Sequence, residues 1–247
     1  MTRWQWVLIG ISAVLLVVLV TVQGIYRGTH KNDFEQMLRR GRIVAACDDG
    51  PWGFVSSGAD GERGLGYELI RGIADSLGME LEINICGTAD DMLAELDKGY
   101  LDLVVMPLAA TESLKRKYLV SKPIVRTPLV VVYNKSHGEA VNLENLRNHY
   151  LAVQANEAVE MRLKHLEGEL GYQIRYQRID DMPLNSIMDL IVKSAVECTV
   201  CPQALAELYC SEHEDLGMSA PISVEQEYVW VMKRNRKETA ARLEIKN

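Results

Sequence analysis

The sequence lacks the short motifs that mark several common kinds of catalytic site. It contains no Gly-x-Ser-x-Gly, no P-loop motif, no His-Glu-x-x-His and no Gly-x-Gly-x-x-Gly. These are the patterns of nucleophile-elbow hydrolases, P-loop nucleotidases, zinc metalloproteases and dinucleotide-binding enzymes. Its five histidines are scattered along the chain, and no two have the spacing of a metal-binding pair. We therefore expect no catalytic residue, no metal site and no cofactor.

Positive charge is also scarce. The chain has 27 lysines and arginines against 34 aspartates and glutamates, which gives a formal net charge of −7. No basic stripe offsets this acidic average, so we expect no nucleic-acid partner. The 247 residues, of which 48% are hydrophobic, suffice for one large or two small α/β lobes with a sizeable core.

Cysteine is infrequent, and its count is odd. The five cysteines are Cys47, Cys86, Cys198, Cys201 and Cys210. Cys47 and Cys86 end two predicted neighbouring strands, which makes a disulfide between them geometrically reasonable in an oxidising compartment, and at least one thiol has no partner within the chain. The last three cysteines and His213 form a zinc-like set, but a predicted helix separates Cys210 from Cys198. Small buried hydrophobic side chains are the expected state of these thiols.

One long apolar run is present, at the N-terminus. The segment from Trp6 to Ile25 carries no charge and approaches the ~20 residues that a bilayer-spanning helix needs. We predict a membrane anchor over residues 1–27 and a polar stalk over residues 28–40. A cleaved signal peptide and a buried core helix are the alternatives, although the segment has no good small-x-small cleavage site. The flanking basic residues alone would favour a cytoplasmic location for the rest of the chain.

From residue 41 onward, strand and helix patterns alternate. The strand "RIVAAC" leads into an acidic turn, and the helix pattern "ELIRGIADSL" ends at Gly78. The strand "MELEINIC", a helix between Thr88 and Gly99 and the strand "LDLVVMP" follow. This order predicts a parallel sheet with helices on its faces. A second series of strands and helices follows, and ligands of such sheets bind beyond the carboxyl ends of the strands.

The order of these segments resembles the family 3 periplasmic solute-binding proteins of the polar amino-acid type. The resemblance rests on "GRIVAACDDGPWGF", "GLGYELIRGIADSLGMELEI" and "LDLVVMPLAATESLKRKYLVSKPI", and it extends from about residue 41 to residue 234. The chain is similar in particular to the non-catalytic domain of the membrane-bound lytic transglycosylase F family. The resemblance implies an α/β, two-lobed Venus-flytrap fold of type II, here preceded by a transmembrane helix, and an exported location. We expect lobe 1 over residues 41–128, lobe 2 over 129–215 and a return segment to lobe 1 over 216–247.

Three groups that anchor an α-amino acid in this family are replaced. The family has a Thr-x-x-Arg motif after the third strand, and here Thr111 matches the threonine while Leu114 stands in place of the arginine. Asn156 and Glu157 replace a Gly-Thr or Gly-Ser turn, and Pro202 replaces the aspartate that holds the ligand ammonium. Burying a zwitterion without charged partners would cost several kcal/mol. We therefore expect no tight binding of free amino acids.

The resemblance and the ends of the predicted strands indicate a set of candidate ligand-binding residues. They are Asp49, Trp52, Met106, Ala109, Thr111, Asn156, Glu157 and Gln203. Trp52 is suited to stacking on a ring or a sugar face, and Glu157 to accepting from a ligand amine. Structural alternatives stay open for both, because Trp52 also suits the rim of its own lobe and Glu157 a solvated helix start. Thr111 is equally suited to a plain helix cap, and Asp49 to a turn.

These observations predict a membrane-anchored extracytoplasmic solute-binding protein of an ABC-type uptake system, with a ligand other than a free amino acid. Such a protein would span the inner membrane once, carry its globular part in the periplasm or outside the cell, and have an ABC permease and a small-molecule ligand as partners. The main alternative is a regulatory or sensory cell-wall-binding module, related to transglycosylase F but without its catalytic domain. Cyclohexadienyl dehydratases share the implied fold, which makes an enzyme a third hypothesis, although the lost arginine fits that activity poorly.

Overall fold

The computed structural model of the protein describes residues 33–57 and 61–243. The predicted membrane anchor at residues 1–27 lies outside them. Among the described residues, no helix combines the length and the apolar character that crossing a membrane requires. Residues 33–40, which belong to the predicted stalk, form a helix whose Phe34 and Met37 are buried in the first apolar core.

Helices and strands alternate along most of the described chain. The α-helices are α1 (Asp33–Arg40), α2 (Leu65–Leu77), α3 (Ala89–Lys98), α4 (Glu112–Lys117), α5 (Glu157–Leu170), α6 (Leu184–Val192), α7 (Gln203–Glu212) and α8 (Lys237–Arg242). The strands are β1 (Arg42–Cys47), β2 (Val55–Ser57), β3 (Gly61–Arg63), β4 (Glu80–Ile85), β5 (Leu103–Ala109), β6 (Tyr118–Val120), β7 (Val125–Thr127), β8 (Leu129–Asn134), β9 (Tyr150–Gln154), β10 (Arg175–Ile179), β11 (Cys198–Pro202), β12 (Leu216–Met218) and β13 (Gln226–Lys233). Two short 3-10 helices, Lys135–His137 and Leu146–Asn148, lie between β8 and β9.

Local sequence signals set the ends of the helices in the first half of the chain. The side chain of Thr88 caps α3 by accepting from the Asp91 N–H at 3.2 Å. Gly78 and Gly99 follow α2 and α3 in the left-handed conformation, with φ of 64° and 86°, which a residue with a Cβ adopts only with strain. The predicted start of α3 and the predicted ends of α2 and α3 are confirmed.

Apart from β2 and β3, which pair with each other as an antiparallel hairpin, the strands form one mixed sheet in each of two lobes. In lobe 1 the order is β4-β1-β5-β13-β6, with β7 also paired to β13. Strand β1 is parallel to β4 and β5, whereas β13 is antiparallel to its neighbours. In lobe 2 the order is β10-β9-β11-β8-β12, in which β9 is parallel to β10 and β11, and β8 is antiparallel to β11 and β12. The predicted parallel arrangement of β1, β4 and β5 is confirmed, and antiparallel strands complete both sheets.

The chain passes between the two sheets twice. It leaves lobe 1 after β7 and enters lobe 2 at β8, and it returns through the segment between β12 and β13. The two passages lie side by side, because the hydroxyls of Ser223 and Ser219 accept from the N–H groups of Leu129 and Val131 at 2.8 and 3.0 Å. Paired connections of this kind are the positions at which two lobes can hinge.

A buried ion pair attaches α1 to the sheet of lobe 1. Asp102, which is 2% exposed, accepts from Nη2 of Arg40 at 2.6 and 2.8 Å and from the Val44 N–H at 3.0 Å. Because both carboxylate oxygens have donors, the buried charge is compensated. The helix before β1 is therefore part of lobe 1.

Candidate functional site

The loop after β1 carries Trp52 into the space between the lobes. Its side chain is 6% exposed, and its ring meets that of Tyr228 in β13 edge-on, with 5.2 Å between the ring centroids. The loop turns tightly because Gly53 has no side chain: a Cβ at this position would lie 2.3 Å from the carbonyl oxygen of Asp48. The backbone of the loop and the aromatic ring of β13 together fix the position of the indole.

Trp52 belongs to an apolar cluster that joins the two lobes. Lobe 1 contributes the rings of Trp52 and Tyr228. Lobe 2 contributes Val130, Val132, Ala152, Ile187, Met188, Ile191, Cys201, Leu205, Ala206, Tyr209 and Leu216. The indole is therefore part of a buried cluster to which both lobes contribute side chains.

Two acidic residues precede Trp52 in the same loop. Asn185, in the first turn of α6, donates from Nδ2 to Oδ1 of Asp49 at 2.8 Å, which links the lobes a second time. Oδ1 of Asp48 is buried and has no hydrogen-bond partner within the described part of the chain. Burial raises the pKa of the Asp48 carboxyl from 3.8 to about 6, against the opposing effect of the Gly50 N–H. The Asp48 carboxyl therefore keeps its proton to a higher pH than an exposed aspartate does.

A third link joins the starts of α4 and α5. Thr111 caps α4, since its Oγ1 accepts from the Leu114 N–H at 3.2 Å. The same Oγ1 donates across the lobes to Oε2 of Glu157 at 3.3 Å, and the Ser113 hydroxyl donates to this oxygen as well. Thr111 is thus a helix cap that also contacts the opposite lobe, and Glu157 is a carboxylate that two hydroxyls of lobe 1 hold.

Two cavities lie between the lobes, one on each side of this third link. The smaller has a volume of about 380 Å³ and is lined by the end of β5, by the starts of α3, α4 and α5, and by Arg178 of β10. The larger has a volume of about 750 Å³ and is lined by α4, by α5 and by residues between Ser223 and Glu227. Thr111 and Glu157 are among the residues that line both cavities, so their contact lies where the two spaces adjoin.

The smaller cavity has an acidic lining. Asp90, Glu157 and Glu160 contribute carboxylates to it, and Arg178 contributes the single guanidinium within the described residues. That guanidinium is already paired, because its Nη1 lies 2.7 Å from Oε1 of Glu160 and its Nε lies 2.7 Å from Oδ1 of Asp180. The summed charge favours a cationic group in this cavity over a carboxylate.

Leu114 occupies the position at which the resemblance described above leads us to expect an arginine. The half-buried side chain of Leu114 lines the smaller cavity. Arg116, two residues later, lines the larger cavity, and its carbonyl oxygen accepts from Nε of Arg234 at 2.7 Å. The guanidinium at the smaller cavity therefore comes from β10 of lobe 2 and not from α4.

Half of the predicted ligand-binding residues meet at one place. Ala109, Thr111, Asn156 and Glu157 all line the smaller cavity. Asn156 also caps α5, because its side-chain oxygen accepts from the N–H groups of Ala158 and Val159 at 3.0 and 3.3 Å. These four residues come from the end of β5, the start of α4 and the start of α5, which the two sheets bring together at the lobe boundary.

The other four predicted residues lie elsewhere. Asp49 and Trp52 form the two interlobe contacts described above. Met106 is half-buried and packs against both apolar cores of lobe 1, and Gln203 donates from Nε2 to Glu207 at 2.8 Å. Neither Met106 nor Gln203 lines either interlobe cavity, so a ligand contact for them stays a prediction.

Three residues at these contacts were not anticipated from the sequence. Ser113 lies two positions after the capping Thr111, and a hydroxyl so close to a helix start was a usable signal. Asn185 offers no comparable signal, because its partner Asp49 is 136 residues away along the chain. Arg178 lies in a strand whose place at the lobe boundary depends on the pairing of β10 with β9.

The cysteines are all free thiols. Cys86 follows the end of β4 and donates its N–H to the carbonyl oxygen of Cys47 at 2.9 Å, without a disulfide. Burial raises the pKa of Cys47 and of Cys198 to about 12, and such thiols are weak nucleophiles. Among residues 33–57 and 61–243, no cluster of three or more His, Cys, Asp or Glu side chains could hold a metal ion.

Known proteins with similar sequences carry one recurring name. The chain is 23% identical to a membrane-bound lytic murein transglycosylase F from Cellvibrio japonicus. The alignment extends over 224 residues and covers 91% of this chain and 45% of that protein. A protein of the same name from Haemophilus influenzae is 27% identical over 141 residues, 57% of this chain and 29% of that protein. The chain thus spans less than half the length of these relatives.

Solved structures with the same fold include amino-acid-binding proteins. The arginine-bound form of truncated ArgBP from T. maritima superposes with a TM-score of 0.73 at 19% identity, covering 85% of this chain and 96% of that one. An ancestral amino acid-binding protein described as a precursor of cyclohexadienyl dehydratase gives a TM-score of 0.72 at 16% identity, covering 85% and 89%. These matches establish the two-lobed periplasmic-binding-protein fold.

The chain also matches a protein family over most of its length. Residues 42–244 match the family described as bacterial extracellular solute-binding proteins, family 3. This range begins at β1 and contains both sheets, the two connections between the lobes and both interlobe cavities. The chain therefore belongs to the family 3 bacterial extracellular solute-binding proteins.

Proposed function

We propose that this protein is an extracytoplasmic solute-binding protein, anchored to the cytoplasmic membrane by residues 1–27, that captures a small molecule bearing a cationic amine between its lobes. Closure of the lobes around the ligand would present a surface to a membrane partner, for which an ABC permease is the first candidate. The smaller interlobe cavity is the proposed ligand site. Residues Ala109, Thr111, Asn156 and Glu157 would line it.

The observation that carries this proposal is the contact of two lobe 1 hydroxyls with the carboxylate of Glu157. Thr111 and Ser113 donate to the same oxygen, and a cavity adjoins the contact on each side. A ligand ammonium is a stronger donor to a carboxylate than a neutral hydroxyl. It can therefore replace the hydroxyls at Glu157 and add contacts that form only when the lobes are close. The ligand would then bind the closed form more tightly than the open form, and this difference in affinity is what drives closure.

The same site is poorly suited to a ligand carboxylate. Leu114 offers no hydrogen bond, and Asp90 and Glu160 repel an anion. Arg178 already donates from Nε to Asp180 and from Nη1 to Glu160, so these two carboxylates compete with an anion for its guanidinium. A free α-amino acid would gain a partner for its ammonium and lose hydration at its carboxylate.

A second candidate function is a regulatory module that binds murein fragments without transporting them. The relatives named lytic murein transglycosylase F favour it, because 91% of this chain aligns with one of them. The larger cavity, about 750 Å³, also offers space beyond what a small amine needs. In this case the partner would be a cell-wall enzyme and not a permease.

Thermal unfolding of the full chain in detergent tests the proposal with probes of opposite charge. We expect putrescine, a diamine without a carboxylate, to raise Tm, and glutarate, a dicarboxylate without an amine, to leave Tm unchanged. A ligand at about 100 times its Kd stabilises the native state by about 2.7 kcal/mol, which is a shift of roughly 5 to 10 °C for a chain of this size. The standard amino acids and purified murein fragments complete the panel.

Variants of two glutamates in lobe 2 identify the site. We expect Glu157→Gln to abolish the shift produced by putrescine, and Glu144→Gln, in an exposed loop of the same lobe, to preserve it. A shift with murein fragments but not with putrescine would support the regulatory module. A larger shift with glutarate or with a standard amino acid would contradict the proposed ligand chemistry.

A further inference from the structure

A groove on lobe 1 shares no lining residue with the two interlobe cavities. It has a volume of about 440 Å³ and lies between α2, the connection from β6 to β7, β13 and the end of α8. Leu69, Ile73, Leu77 and Ile124 form its apolar wall, and Leu69 is 43% exposed. We name it the Trp230 groove, after the residue of β13 that also lines it.

Trp230, which lines this groove, carries a hydrogen-bond donor that has no partner among the described residues. The residue is 2% exposed, and its Nε1–H is buried with no acceptor in the part of the chain that the structure describes. Its backbone N–H, by contrast, donates to the Ser121 hydroxyl at 2.9 Å. An indole can only donate, and a buried indole N–H usually has a partner, because leaving it without one is costly. A molecule with an acceptor oxygen in the groove would supply the missing partner.

The two charged side chains that line the groove are both positive. Lys122 and Arg242 line it, and within the described residues neither has an ion-pair partner and no acidic side chain lines the groove. The guanidinium of Arg242 lies 5.9 Å from the ring centroid of Phe34. Long cationic side chains can cover an apolar surface with their stems while their charged ends stay mobile. The field over the groove therefore attracts an anion.

We propose that the Trp230 groove binds a small amphipathic carboxylate. Its apolar body lies on Leu69, Ile73 and Leu77, and its carboxylate accepts from the indole N–H of Trp230 under the positive charge of Lys122 and Arg242. An uncharged alcohol of the same length satisfies the N–H and gains nothing from the two cations. A cationic amphiphile of that length offers no acceptor to the indole N–H and is repelled by the two cations.

Three probes of equal chain length separate these contributions. The full chain, with ¹⁵N in its tryptophan indoles, is placed in nanodiscs of zwitterionic phosphatidylcholine and titrated with octanoate, octanol or octyltrimethylammonium. The Trp230 signal is identified by its loss in Trp230→Phe. We expect octanoate to shift the Trp230 indole N–H resonance at the lowest concentration and octyltrimethylammonium to leave it unmoved. Equal shifts with all three probes, or none with octanoate, would overturn the proposal.

Substitutions in the groove provide a second test by calorimetry. We expect Trp230→Phe, which keeps an aromatic ring and removes the donor, and Arg242→Gln to weaken octanoate binding at least about fivefold. Leu69→Glu, at a position that is 43% exposed, should abolish binding by placing a negative charge in the groove. Lys193→Gln, an exposed change in lobe 2, should leave the Kd unchanged. Unaltered octanoate binding in Leu69→Glu would sink the assignment.

An anionic lipid also combines an apolar chain with an anionic oxygen acceptor, so it could occupy the groove in place of a free carboxylate. Nanodiscs that contain phosphatidylglycerol show whether a lipid headgroup shifts the Trp230 resonance without octanoate. A lipid-induced shift that octanoate cannot displace would contradict a site for a free carboxylate. The proposal is independent of the interlobe site, because the groove shares no lining residue with the interlobe cavities. We therefore expect Glu157→Gln to leave octanoate binding unchanged.

Discussion

The indole of Trp52 meets the ring of Tyr228 edge-on, with 5.2 Å between the centroids, inside the apolar cluster that joins the two lobes. Trp52 follows β1 and Tyr228 belongs to β13, and Met188 of α6 and Leu205 of α7 belong to the same cluster from lobe 2. A side chain of the protein thus fills part of the space between the lobes. Apolar burial therefore contributes to lobe contact in addition to the two polar links, one through Asp49 and one through Thr111 and Ser113.

Removing the indole of Trp52 should destabilise the protein and loosen the lobes. We expect Trp52→Ala to lower the free energy of unfolding by about 3 to 5 kcal/mol, the range for truncation of a buried large aromatic side chain. Denaturant titration measures this loss, and small-angle scattering should show a larger radius of gyration. The matched control is Tyr100→Ala, because Tyr100 is 65% exposed and its loss should cost less than about 0.5 kcal/mol. Equal losses in the two variants would contradict the joining role of Trp52.

Asp48 should make stability decrease as the pH rises. Its folded-state pKa of about 6 lies above the ordinary value of 3.8, so between these values the folded chain binds more protons than the unfolded chain. The free energy of unfolding then falls from about pH 4 to pH 6, by an amount on the order of 2 to 3 kcal/mol. We expect Asp48→Asn to match the parent below pH 4 and to exceed its stability above pH 6.

The pH experiment has a simple control in the same lobe. Asp75 lies on the exposed side of α2, and Asp75→Asn should follow the pH dependence of the parent. Unfolding is measured at several pH values between 4 and 8 for the parent and both variants. A constant difference between the parent and Asp48→Asn over this range would show that burial does not perturb the Asp48 carboxyl.

An arginine introduced at position 114 should let the smaller cavity accept a carboxylate. Leu114 lines this cavity beside Thr111, and a guanidinium there would offer a bidentate partner near a helix start. We expect Leu114→Arg to bind glutarate at least about tenfold more tightly than the parent, measured by calorimetry. Leu114→Met keeps an apolar side chain of similar volume and should behave as the parent does. Failure of Leu114→Arg to bind any carboxylate would argue against this cavity as the ligand site.

The ion pair between α1 and the sheet of lobe 1 should contribute measurably to stability. Nη2 of Arg40 lies 2.6 Å from Oδ1 of Asp102, whose side chain is 2% exposed. We expect Arg40→Ala to cost about 2 to 3 kcal/mol, because it leaves a buried carboxylate without its main partner and Arg40 itself is 40% exposed. Arg39→Ala is the control, since Arg39 is 80% exposed and lies 3.7 Å from Glu35, and it should change stability by less than about 0.5 kcal/mol. Denaturant unfolding of the two variants side by side distinguishes a docked α1 from a loose one.

Much of the local structure followed from short-range signals in the sequence. Thr88, Gly78 and Gly99 mark helix ends because a capping hydroxyl and a glycine at positive φ satisfy the backbone within a few residues. Thr111 and Asn156 cap α4 and α5 for the same reason. The candidate site was predicted in part, because residues that follow strand ends gather at the lobe boundary wherever the sheets are built this way.

Other properties required the tertiary structure. The sequence by itself determined the start of α3 at Thr88, the ends of α2 and α3 at Gly78 and Gly99, the strand patterns of β1, β4 and β5, and the net charge, since each of these depends on composition or on neighbours within a few positions. Only the assembled lobes decided that Trp52 meets Tyr228, that Glu157 accepts from Ser113 and that Arg178 lines the smaller cavity. These contacts join residues far apart along the chain, and no local pattern encodes the relative position of two sheets, which is set by the sum of many packing contacts across the whole fold.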